Sequence, residues 1–119
     1  MKSFIAIMCL ALPTAALATT PGTWTNVSVT AISAYSAEGP YGTNGAVYAV
    51  LSAAHNSGTG PTCATSTTYI VVDISNNAGM ATLSLLEEAM TQGLKVNLVG
   101  TNNCGIIGSA ETLAQVSLL

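Results

Sequence analysis

YIVVDISNNAGMATLSLLEEAMTQGLKVNLVG, residues 69–100, places three elements in a row and decides the fold class. It opens on Ile70, Val71 and Val72, contiguous and β-branched, the strongest strand signal in the chain, and a strand is read over 69–74. The period then changes. Asn76 or Asn77 is placed to cap a helix, Met80, Leu83, Leu86 and Met90 recur at three- and four-residue spacing, and Gly93 is placed to end it. The spacing predicts a helix over 78–92, with that stripe turned to a core and Glu87 and Glu88 on the other side. Over 95–99 strict alternation returns, Val96 and Leu98 against Asn97, so a strand follows the helix.

Working outward, 24–35 reads as a long strand. Val27 and Val29 alternate with Ser28 and Thr30, while Ile32 falls out of phase, as a bulge would make it. Residues 38–45 are dense in turn formers, and 46–54 is a second apolar run with Val47, Tyr48, Val50 and Leu51. A polar stretch over 55–67 carries Cys63, a turn over 100–105 carries Cys104, and 112–119 closes as a strand with Leu113, Val116 and Leu118. The chain is thus mainly β with one helix, in the order β-β-β-α-β-β, the connectivity of a five-stranded OB-like barrel. A β-sandwich fragment or a different α+β roll has the same element order and stays open at this point.

The N-terminus is read as a signal peptide over 1–18: Lys2 is a short positive region, 4–12 an apolar run, and Ala16-Leu17-Ala18 a small-residue cleavage pattern. The mature chain, 19–119, is then a single domain starting at Thr19, secreted or periplasmic. Cys9 lies inside the apolar run, too early for a lipid attachment site, and leaves with the signal. Cys63 and Cys104 remain, and in an oxidising compartment they are expected to bridge and close a loop of about 40 residues, a link of up to about 4 kcal/mol. The mature chain keeps one cation, Lys95, against Glu38, Asp73, Glu87, Glu88 and Glu111. Neutralising phosphates needs clustered cations, so neither nucleic acid nor an anionic membrane surface is expected as a partner. No later segment is long and apolar enough to span a membrane. The surface must be hydroxyls and amides, which suits neutral hydrogen-bonding ligands and leaves little repulsion against homo-oligomers.

Little in the chain points to catalysis. His55 is the single histidine and Asp73 the single aspartate, and no serine sits in a nucleophile elbow. Glu87 and Glu88 diverge by about 100° on a helix and cannot flank one bond. Two cysteines without a CxxC and one distant histidine make no zinc set, so neither a metal nor a cofactor is expected. Among the aromatics, Tyr48 and Tyr69 are read as packing the barrel and Trp24 as tucked under the terminus. The loops that OB barrels use for ligands correspond to 39–45 and 101–108. Tyr41 is the one ring in either, so it is the expected stacking residue, with Asn44, Asn102 and Asn103 as hydroxyl partners.

The run MATLSLLEEAM over 80–90, then Gly93-Leu94-Lys95-Val96-Asn97-Leu98 and Cys104, resembles the binding subunits of subtilase-type cytotoxins and the small exported proteins related to them. The resemblance covers the C-terminal half, and it departs from the family's Gly-Lys-x-Val pattern in placing Leu94 between the glycine and Lys95. It implies an OB-fold, a Cys63–Cys104 bridge and ring-forming oligomers that bind glycans. It transfers no glycan-contacting residue, because the N-terminal half has no match. The expectation is an exported non-catalytic binding module with a glycan or protein ligand. The alternatives are a structural or envelope protein-interaction domain and a small exported hydrolase using His55.

Overall fold

Strand β1, Thr23–Tyr35, is long enough to serve two neighbours. In this computed structural model, which describes residues 19–36, 38–40 and 45–119, its first half pairs with β4, Lys95–Gly100, and its second half with β2, Ala46–Leu51. Both pairings are antiparallel, and each carries a register shift, between Trp24 and Val27 and between Val29 and Ala31. The first shift is turned at Asn26, whose φ of 53° lies in the left-handed region that asparagine tolerates and whose N–H donates to Asn97 Oδ1 at 2.8 Å. The shifts set the phase of the strand: Trp24, Val27 and Val29 all point inward, although their spacing is three and then two.

β2 pairs antiparallel with β3, Tyr69–Val72, and β4 with β5, Glu111–Leu118. A short parallel pairing, Ile70 with Glu111 and Val71 with Thr112, joins β3 to β5 and closes the barrel in the order β1-β2-β3-β5-β4. With α1, Asn77–Gln92, between β3 and β4, the chain is a five-stranded OB-like barrel with one helix, as the element order predicts. The interior is filled by Trp24, Val27, Val29, Ala49, Leu51, Ile70, Val72, Val96, Leu98 and Leu113, with Val116 packed against them. Two strands end earlier than their apolar runs. After Leu51 the chain leaves β2 and His55 N–H donates to Thr67 O; after Val72, Asp73 Oδ1 takes the Ser75 N–H and begins the turn into the helix.

The helix starts where Asn76 Oδ1 accepts from Gly79 N at 2.8 Å and stops at Gly93, φ 67°. Its inward face differs from the expected stripe. Leu86 and Ala89 are buried and Leu83 packs beside them, but Met80 and Met90 are 49% and 39% exposed. The approach is close. Gly79 leaves no space for a Cβ against the Asp73 carbonyl, and the face made by Leu83, Leu86 and Ala89 is the one that meets the core.

A second cluster lies outside the barrel. Ala46, Val71, Ile107 and Ala110 are buried together, with Tyr48 and Ile106 against them, where the 101–110 loop folds over β2 and β3. Val71 is therefore buried from outside while Ile70 and Val72 are buried from inside, which is why the run is β-branched without alternation. Cys63 and Cys104 are bonded, with Cα atoms 6.2 Å apart, and tie the loop before β3 to the loop before β5. Among the described residues no helix is long and apolar enough to cross a membrane.

Candidate functional site

Three tyrosines meet on the outer face of β1, β2 and β3. In the register of the sheet Tyr35 lies opposite Ala46 and Tyr69 opposite Val50, and Ala46, Tyr48 and Val50 share one face of β2. Tyr48 therefore stands between the other two. Its ring stacks on Tyr35 with centroids 5.8 Å apart at 28°, and meets Tyr69 edge-on at 5.4 Å and 73°. Tyr35 and Tyr69 are exposed and Tyr48 half-buried. This corrects the expectation that Tyr48 and Tyr69 pack the barrel. Ala49, Leu51, Ile70 and Val72 fill the interior, and alternation sends the rings outward.

The rings form one wall of a depression of about 190 Å³, completed by Ser66, Ile107, Ser109 and Ala110. Ser66 belongs to the β2–β3 connection and Ser109 to the β4–β5 connection, and Ser66 N–H donates to Ser109 O at 2.9 Å. The disulfide joins the same two connections. Aromatic faces beside hydroxyls, on cross-linked walls, are suited to a ligand with an apolar face and a hydroxylated edge. A second depression of about 260 Å³ opens between the start of α1 and β5, lined by Asp73, Asn76, Thr82, Thr101 and Thr112 among others. Ser75 donates to Asp73 through both its hydroxyl and its N–H, holding that carboxyl below its ordinary value. No aromatic ring lines this second site.

The residues expected at the ligand loops divide. Tyr41 and Asn44 fall outside the described residues, as does the 1–18 segment. Asn102 is half-buried with φ 67°; its N–H donates to Glu111 Oε2 at 2.7 Å and its Nδ2 to Thr19 O at 3.0 Å. Asn103 Oδ1 accepts from Gly105 N, and Asn103 O from Thr112 N. Both asparagines are thus engaged in shaping the turn and anchoring residue 19.

Trp24 is buried in the barrel interior, with Nε1 donating to Thr67 O at 3.1 Å. The His55 ring packs edge-on against it at 5.8 Å. His55 is held to Thr67, before β3, whereas Asp73 follows β3, so the strand separates the two groups a hydrolase would need together. Among the described residues no three of His, Cys, Asp and Glu gather to hold a metal.

Sequence reasoning missed the tyrosine wall. The signal was the phase of β2, in which Tyr48 falls opposite to Ala49 and Leu51, but apolar residues on both faces concealed it. Comparison with protein-family models, with curated proteins and with solved structures gives no significant match.

Proposed function

We propose that this chain is an exported, non-catalytic binding module whose tyrosine-lined depression holds a glycan. The carrying observation is the set of Tyr35, Tyr48 and Tyr69 beside Ser66 and Ser109, on the β2–β3 face that OB barrels commonly use for ligands. The disulfide and the apolar N-terminal run support export, and the C-terminal resemblance to toxin binding subunits supports a glycan over other hydroxylated ligands. A glycan array on the oxidised protein tests the reading, with Tyr48→Ala and Tyr41→Ala arrayed in parallel. Loss of a stacking ring weakens binding by about 1 kcal/mol, roughly fivefold. Spots retained at full strength by Tyr48→Ala refute the depression as the site.

A second reading, a protein-interaction or envelope domain, draws on one observation. Met80, Leu85 and Met90 leave apolar surface exposed on α1. It predicts no glycan binding and a mass in solution, or a captured partner, that changes when Leu85 is replaced by Lys.

A further inference from the structure

We infer, resting on the glycan reading above, that the depression takes one terminal uncharged hexose and selects against sugars bearing a carboxylate or sulfate. Size sets the first half. About 190 Å³ is well below the roughly 300–1,000 Å³ of pockets that enclose drug-sized ligands, so the site seats a single ring, and further residues of a glycan extend into solvent.

Charge sets the second half. Every side chain lining the depression is uncharged. From residue 19 onward the chain has one cation, Lys95, at the start of β4. In the closed barrel β4 lies between β5 and β1, away from the β2–β3 face, and among the described residues no lysine or arginine lines the site. Five carboxylates against that one ammonium give the domain a net negative field, and Glu38 stands only three residues beyond Tyr35.

An anion can also be held by backbone N–H groups, but three along this rim are committed. Ser66 N donates to Ser109 O, Tyr69 N to Ser66 O and Ala110 N to Ile107 O. An acidic sugar would exchange the hydration of its charge for a lining that holds no cationic side chain, a net loss. A neutral hexose makes no such exchange. Its C–H face lies on a tyrosine ring, and its hydroxyls meet Ser66 and Ser109, each of which both donates and accepts.

The test is an array that prints each glycan core in its unsialylated and its 3′-sialylated form, probed with the oxidised wild type, Tyr48→Ala and Tyr69→Ala at low and high salt. The expected result is binding to neutral termini, at least about tenfold weaker signal on their sialylated counterparts, little change with salt, and loss in both variants. Tyr69, being exposed, keeps the test valid if Tyr48→Ala misfolds. Sialylated spots bound as well as or better than neutral ones, with loss in Tyr69→Ala, overturn the selectivity and leave the site standing. Binding that survives both variants with the fold intact overturns the site itself, and a wild type that binds no spot overturns both.

Discussion

Glu111 is completely buried, and replacing it is the sharpest test of how this barrel is held. Its carboxyl oxygens accept from Gly22 N at 3.0 and 3.1 Å and from Asn102 N at 2.7 Å, fixing the chain that leads into β1 against the β4–β5 loop. Gly100 N–H donates to Gly22 O at 2.8 Å and completes the clasp. Glu111→Ala strands two buried backbone donors. Each costs about 1–3 kcal/mol, and with partial rescue by an entering water the sum is roughly 2–5 kcal/mol. Glu111→Gln keeps the shape and one acceptor oxygen but turns an NH₂ toward backbone N–H groups, and costs about 1–3 kcal/mol. At about 4–8 °C per kcal/mol for a domain of this size, the alanine variant melts on the order of 10–30 °C lower. Urea unfolding followed by Trp24, the single tryptophan and buried, measures both. A double-mutant cycle adds a stricter demand. A Cβ on Gly100 would collide with the Glu111 carboxyl, so Gly100→Ala must cost clearly less in the Glu111→Ala background than in the wild type. Additive costs, or a Glu111→Ala change within about 0.5 kcal/mol, the range of ordinary surface substitutions, refute the clasp.

Other expectations follow from the same geometry. The native protein should take up no alkylating reagent at Cys63 or Cys104 until reduced, and the double serine variant should lose about 2–4 kcal/mol by denaturant unfolding. Leu86→Ala should cost about 2–5 kcal/mol, whereas Met80→Ala, on the exposed side, should stay within about 0.5 kcal/mol; equal costs would contradict the observed helix orientation. Asp73 should titrate below the ordinary aspartate value of about 3.9 because the Ser75 hydroxyl and N–H favour its ionised form, and Ser75→Ala should raise it. A depressed folded value means that this contact's stabilisation is present above about pH 3.9 and fades as pH falls through the folded value. The carboxyl is largely exposed, so the effect on unfolding is small and NMR titration is the direct measurement.

The element order was legible because it rests on period. The β-branched run at Ile70, the three-four spacing after Asn76, the glycine stop at Gly93 and the alternation around Val96 each report local geometry. What period leaves undetermined is which face meets what. Met80 and Leu83 fit one helical stripe equally well, and the barrel lies on the Leu86–Ala89 side, where Gly79 also passes close to Asp73 O. In β2 both faces are apolar, because one fills the barrel and the other lies under a loop or carries rings, so alternation could not say that Tyr48 points out. Glu111 was legible least of all. A carboxyl is expected in solvent, and its burial depends on two backbone donors brought from 89 and 9 residues away.

The distribution of cross-links bears on the proposed binding surface. The barrel's weakest seam is β3 to β5, with only two register pairs. The reinforcements gather there. The disulfide ties the loop before β3 to the loop before β5, Ser66 N–H bonds Ser109 O across the same gap, and Glu111, at the first paired position of β5, anchors the segment entering β1. The tyrosine-lined depression shares those walls, since Ser66 and Ser109 line it and Ala110 adjoins Glu111. Loops that carry binding groups are ordinarily the mobile part of a fold, and ordering them on binding lowers affinity. Here the covalent and hydrogen-bonded ties that close the barrel also fix the hydroxyls beside the rings before any ligand arrives. Stability and preorganisation of the site therefore depend on the same contacts, and on the proposed reading, opening the Cys63–Cys104 bond should weaken glycan binding even where the barrel itself stays folded.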